Sequence, residues 1–281
     1  MTRVTCLMLF IVFFCNTKAS ARETIIATNN LIYDSFVQWT KLKPCEQISN
    51  FNSPYANRGT VELIIICQAL DVAGYKTQLK LQKYPNYERA LVQAKSGKVH
   101  LSAETLWEED IEDEYFYKTP AIIQNGEFEK GIYTLAKNVD VLAVKSLAEL
   151  QAFSAVMPKI WKTDWQTLQA MTIKTSSAPN KVNMFRMIEA QRVDFTLLEF
   201  SHAQDMSNEF VGIRLIPVPY LKVGLQGARY FVVSKQSTDA KVLYEALNRG
   251  VLHLRTTGVI TKALTQSGFI NERVRNWQKI F

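Results

Sequence analysis

Apolar positions recur along this chain at two periods, and the alternation between them marks out its elements. From Lys76 to Tyr84, Thr77, Leu79 and Leu81 alternate with Lys76, Gln78, Lys80 and Gln82. That period of two predicts a half-exposed strand. Tyr87, Ala90, Leu91 and Ala94 then return at helical spacing and stop at Gly97, and Val99 to Ala103 supplies the next strand. Upstream, the β-branched run from Glu23 to Thr28 predicts a first strand that ends at the turn-prone pair Asn29 and Asn30, with a loop after it. Residues 40 to 59 hold two prolines, three asparagines and a glycine, and read as an irregular excursion. Thr60 is expected to cap a helix from Val61 to Ala73 that stops at Gly74. This helix is apolar nearly all round, so it should be buried on more than one side. Strand, helix, strand, helix, strand in that order implies crossover units and an α/β sheet.

After Thr119 and Pro120 the pattern restarts. Strands are expected at Gly131 to Ala136, Ser154 to Met157, Thr172 to Thr175 and Val193 to Leu198. Helices are expected between them at Ser146 to Phe153, Thr163 to Ala170 and Asn180 to Gln191. From Thr238 the chain is helical, with Val242, Ala246, Leu247, Val251 and Leu254 on one stripe, and no strand is expected after Tyr230 to Ser234. Two lobes follow from the restart: residues 22 to 119 with 229 to 281 in one, 120 to 228 in the other, joined by crossings near Pro120 and Gly227.

Composition narrows the class. With 281 residues, 47% hydrophobic and 21% charged, the chain is neither collagen-like, mucin-like nor intrinsically disordered. The first 21 residues read as a secretory signal peptide: Arg3 supplies the positive start, Cys6 to Cys15 is apolar, and Ala19, Ser20 and Ala21 form a small-x-small cleavage site. A lipid anchor at Cys15 is the competing reading, disfavoured by the bulky Phe13 and Phe14 before it. Cleavage removes Arg3 and Lys18 and leaves 31 basic against 26 acidic residues. The surplus is small and scattered, with no basic-aromatic pattern, so no nucleic-acid partner is expected.

Two cysteines, Cys45 and Cys67, survive cleavage. In an oxidising compartment an even pair is a disulfide candidate. The alternative is that Cys67, inside an apolar run, is a buried free thiol. The three histidines stand apart from each other and from the cysteines, so neither a metal site nor a cofactor is expected.

Several segments, taken in order, resemble the family 3 extracellular solute-binding proteins, the two-lobed receptors of ABC importers with the type II periplasmic-binding fold. They are Gly59 to Gly74, Tyr87 to Leu101 (YERALVQAKSGKVHL), Tyr117 to Pro120, Met187 to Leu198 (MIEAQRVDFTLL) and Tyr230 to Gly250. The resemblance implies an α/β fold with a central cleft and two hinge crossings. It implies a monomer that captures a small molecule between its lobes and hands it to an ABC permease. A sensory role beside a membrane signalling partner, or a dehydratase-like enzyme on the same scaffold, are the alternatives.

In amino-acid-binding members of the family, a loop after the strand at 99 to 103 leads to an arginine that holds the ligand carboxylate. Here the loop reads Glu104 to Glu114, with seven acids and no arginine. On that ground a standard free amino acid is not the expected ligand. Glu108 to Glu114 are assigned mostly to a solvated helix start, and Glu104 and Thr105 to the pocket. Glu199 falls where the family places the acid that meets a ligand ammonium. Trp107, Trp161, Trp165 and Tyr33 are candidate aromatic walls, with Asn29 after the first strand and Lys162 and Thr163 beside the second-lobe loop as further candidate contacts.

Overall fold

Ile25 and Ile26 drive the first strand, β1 (Glu23–Thr28), into the centre of a parallel three-stranded sheet, where it pairs with β2 (Gln78–Lys83) on one side and β3 (Leu101–Ser102) on the other. The computed structural model describes residues 22 to 281 except position 202. The expected signal peptide lies outside the described residues. The segment after β1 is a helix, α1 (Asn30–Leu42), where a loop was expected. Asn29 caps it through its side-chain oxygen, and Ile32, Phe36 and Trp39 recur at helical spacing on its buried face. The excursion expected from residue 40 begins only where this helix ends, and its one regular turn is the 3-10 turn Cys45–Gln47.

Helix α2 (Arg58–Val72) is the core of this half: every residue from Gly59 to Leu70 is buried. Its cap is Asn57, which accepts from the Thr60 amide at 3.0 Å, so the helix starts earlier than Thr60 would have placed it. Cys67 on α2 is disulfide-bonded to Cys45, which pins the excursion to the helix. Helix α3 (Tyr87–Lys95) connects β2 to β3, and β4 (Leu106–Trp107) and β5 (Phe116–Ile123) flank β12 (Arg229–Ser234) in an antiparallel sheet beside the first.

The second half is built on β6 (Glu129–Thr134). Past the short helices α4 (Val139–Leu142) and α5 (Leu147–Leu150), β7 (Ser154–Met157), α6 (Lys162–Ala170) and β8 (Lys174–Ser177) form a parallel unit. Helix α7 (Lys181–Glu189) leads to β9 (Thr196–Leu198), then β10 (Asn208–Phe210) and the long β11 (Ile213–Gly224), giving the order β10-β11-β6-β9. The chain returns through β12 to α8 (Ala240–Thr256) and α9 (Val259–Gln266), which pack on α2.

Two features differ from the expected organisation. Pro120 lies inside β5, whose pairing with β12 continues to Ile123, so the first link between halves is the stretch 124 to 128. Gly227 lies in the second link, 225 to 228, between β11 and β12. The tail does contain a strand after β12: β13 (Gln278–Lys279) pairs with Leu221 and Lys222 of β11, so the chain ends against the second half rather than the first. Two residues of pairing are too few to leave a periodic signal in the sequence. Among the described residues no helix is long and apolar enough to cross a membrane.

Candidate functional site

Between the halves lies a cleft of about 670 Å³. Its floor on the β1 side is a buried charge network assembled from three parts of the chain: α2, the segment between β3 and β4, and β12. Arg58, in the first turn of α2, bonds both oxygens of Glu62 one turn on, at 2.9 and 3.1 Å, and Glu104 at 3.2 Å. Glu62 is fully buried and also accepts from the Thr105 amide at 2.9 Å and the Thr105 hydroxyl at 2.7 Å. Burial by itself would lower the Arg58 pKa, but Glu62, Glu104 and Glu199 outweigh it and hold the guanidinium above its usual range.

Arg229, the first residue of β12, completes the floor. It is 5% exposed, donates from Nε to the Thr105 hydroxyl at 2.8 Å and from Nη2 to the Thr105 carbonyl, and lies over the Trp107 ring, 4.6 Å from its centroid. Among the described residues it forms no ion pair with a carboxylate. Burial, then the charge of Arg58, push its pKa down to about 10. Tyr87, at the start of α3, also lines the cleft, and its buried hydroxyl has no hydrogen-bond partner among the described residues. Burial raises the pKa of that hydroxyl.

The facing wall comes from the second half. Lys130 and Asp164 form a buried ion pair, and the Lys130 ammonium sits 5.4 Å from the Phe128 ring centre and 5.8 Å from that of Trp161. At the mouth the halves touch: Lys162 pairs with Asp110 at 2.8 Å, and the Thr163 hydroxyl donates to Glu109 at 2.9 Å. The bond to Asp110 raises the Lys162 pKa. At the second link Gly227 is closely packed: a Cβ there would sit 3.2 Å from the Thr163 methyl and 3.3 Å from the Trp107 ring.

Of the sequence candidates, Glu104, Trp107, Trp161, Lys162, Thr163 and Glu199 line this cleft. Four others do not. Thr105 is buried beneath it and orients Arg229 and Glu62. Asn29 caps α1 and reaches only the Glu104 carboxylate, at 3.4 Å. Tyr33 faces Lys83, whose ammonium is 4.0 Å from its ring centre, and Trp165 lies under Lys159. The four-walled aromatic clamp is thus reduced to Trp107 and Trp161, with Phe128 stacked behind Trp107 at 5.5 Å.

The acidic loop also divides differently from the solvated helix start expected for it. No α-helix follows, only the 3-10 turn Glu108–Asp110. Glu108 and Glu112 pair outward with Lys118 and Lys95, whereas Glu109 and Asp110 turn into the cleft. Sequence reasoning missed Arg58, Arg229, Lys130 and Asp164. Arg58 had a signal, because a helix begun at Asn57 rather than Thr60 puts it in the first turn. Arg229 is brought to Thr105 by β4–β12 pairing, which no local pattern announces.

No protein-family model matches the chain, and no curated protein matches it either. Solved structures do. The chain is similar to the probable amino-acid ABC transporter extracellular-binding protein ytmK of Bacillus subtilis, with 14% identity and a TM-score of 0.57 over 87% of this chain and 97% of that one. It is also similar to substrate-binding domain 2 of GlnP from Lactococcus lactis in its open conformation, with 15% identity and a TM-score of 0.52 over 87% and 94%. A third is an amino acid ABC transporter substrate-binding protein of Streptococcus pneumoniae bound to L-arginine, with 13% identity and a TM-score of 0.51 over 89% and 95%. At such identities the likeness is one of architecture: the chain has the two-lobed α/β fold of the type II periplasmic substrate-binding proteins.

Proposed function

We propose that this chain is a secreted, periplasmic solute-binding protein that closes on a small molecule and presents it to a membrane transporter, without transforming it. The observation that carries the reading is Arg229: a guanidinium 5% exposed, oriented by Thr105, with no carboxylate partner among the described residues. A buried charge without a counter-ion is costly, and a ligand oxyanion entering the cleft would relieve that cost bidentately. Glu199, across the cleft, has no ion-pair partner among the described residues and offers a place for a ligand cation.

The ground for disfavouring free amino acids was the missing arginine of the 104 to 114 loop. With Arg229 in the cleft that ground no longer holds. The ligand class we propose is a small zwitterion or cation-bearing carboxylate with apolar or aromatic surface for Trp107 and Trp161, free amino acids included. Glu104 and Glu199 are the carboxylates that could do acid-base chemistry in an enzyme on this scaffold, but Glu104 is engaged by Arg58 and Asn29, which favours binding over catalysis.

Thermal-shift screening of the twenty amino acids, polyamines and aromatic amines tests the reading. Stabilisation by a carboxylate-bearing amine is expected, lost in Arg229→Gln. Stabilisation only by amines that lack an oxyanion, unchanged in that variant, would remove Arg229 as the anchor. No stabilisation by any compound of these classes would overturn the ligand class.

A further inference from the structure

The last eleven residues are not an appendage of α9 but a third connection between the lobes. The final hydrogen bond on the first-lobe side is Ile270 N–H to the Leu264 carbonyl, at 3.0 Å. The first bonds on the second-lobe side come from Arg273, which donates to the Ser201 and Ala203 carbonyls, each at 2.8 Å. Asn271 and Glu272 alone lie between these anchors. Beyond them Val274 is buried, Trp277 packs edge-on against Phe200 at 5.5 Å, and β13 joins β11.

The same tail is tied to both hinge links. Lys279 donates to the Gly126 carbonyl at 2.9 Å in the first link, and the amide of Gly224, the last residue of β11 before the second link, donates to the Phe281 carbonyl at 3.1 Å. Lys222 of β11 and Lys279 of β13 share the Glu129 carboxylate, at 2.8 and 2.9 Å. The first link, β11 and β13 are so close that a Cβ on Gly224 would lie 2.9 Å from the Gly126 carbonyl and 3.3 Å from the Lys279 side chain.

We propose that residues 271 to 281 act as a strap across the hinge that limits how far the lobes open. The limit follows from chain geometry. The strap enters the second lobe through the 3-10 turn Glu272–Val274. Such a turn rises about 2.0 Å per residue, while extended chain reaches about 3.3 to 3.6 Å. Of the three steps from Ile270 to Arg273 only the last lies in the turn, and Asn271 is already extended, so the backbone can lengthen there by only about 1 to 2 Å before an anchor must break. A lobe that cannot swing far loses less freedom when it closes, so the strap pre-organises the cleft for whatever enters it. This holds whether or not the ligand class proposed above is right.

The test slackens the strap without removing it. A ten-residue Gly/Ser spacer is inserted between Ile270 and Asn271 in the full-length chain, with nitroxide labels on Arg89→Cys and Lys159→Cys, one on each lobe. Label-to-label distances are measured without any added ligand. The spacer should broaden the distribution and extend it by more than about 5 Å beyond that of the unaltered chain. Arg273→Gln, which weakens the second-lobe anchor and leaves the covalent length unchanged, should broaden it in the same direction by less. Distributions that coincide with the unaltered chain in both variants, or that narrow, would overturn the proposal.

Discussion

His100 shows how one side chain ties stability to pH. Its Nδ1 accepts from the Ile25 amide at 2.9 Å, a bond that only an unprotonated nitrogen can make, and burial lowers its pKa below the usual value. The unfolded chain therefore binds a proton that the folded chain refuses, so stability rises with pH across the interval between the folded and unfolded values. This contribution is complete above about pH 6.5, the unfolded value, and is lost as pH falls through the lowered folded value. Denaturant melts across this interval should show the loss, and His100→Gln should remove that component of the slope. A pH profile unchanged in the variant would assign the effect to other groups. Glu62 makes a second residue-scale case. Glu62→Ala leaves Arg58 with Glu104 as its one carboxylate partner and the Thr105 amide unpaired in a buried floor, and should cost about 3 kcal/mol, read as a lower urea midpoint. Of this network the sequence placed Glu104 and Thr105 in the pocket but not Glu62 or Arg229, because helix α2, the segment at 104 and 105 and strand β12 are brought together only by tertiary pairing.

At the scale of elements, α2 and α8 approach closely at Gly250. A Cβ on Gly250 would sit 1.9 Å from the Ala69 carbonyl, and that backbone is locked inside a buried helix. Gly250→Ala should therefore force the helices apart and cost about 3 kcal/mol, lowering Tm by about 6 to 12 °C for a chain of this size. A melting point within a degree of the parent would mean that the helices separate freely. Apolar patterning found β1, α2, β2, α3, β7 and α6: α2 is buried all round, β2 alternates half-buried with exposed positions over most of its length, and the others bury apolar positions against their lobe. It missed α1 and β11 for different reasons. The α1 signal, Ile32, Phe36 and Trp39 after the cap Asn29, was present but hidden by the asparagine pair read as a turn. β11 contains Pro217 and Pro219, which normally argue against a central strand. Pro219 is tolerated because it lies where the pairing with β6 slips, between Pro217 and Lys222, and Pro217 is the last residue in register before that gap.

At the scale of the whole molecule, the halves meet at the mouth of the cleft through Lys162 with Asp110 and Thr163 with Glu109. Both contacts join a first-lobe acid to the first turn of α6, where carboxylates also complement the helix dipole. Lys162 is more than half exposed, so the ion pair is screened by water and contributes modestly. Together the two contacts should favour the closed arrangement by about 1 kcal/mol, roughly fivefold in the ratio of closed to open molecules. That ratio should respond to salt, because the Debye length shrinks from about 10 Å at 0.1 M to about 3 Å at 1 M. Small-angle scattering of the ligand-free chain should then give a radius of gyration that increases with added sodium chloride. Asp110→Asn should begin at the larger value and respond little to salt, while Glu112→Gln, whose partner Lys95 lies on the same lobe, should behave as the parent does. If Asp110→Asn and the parent scatter alike at every ionic strength, the mouth contacts do not bias closure, and the resting geometry is set at the hinge alone.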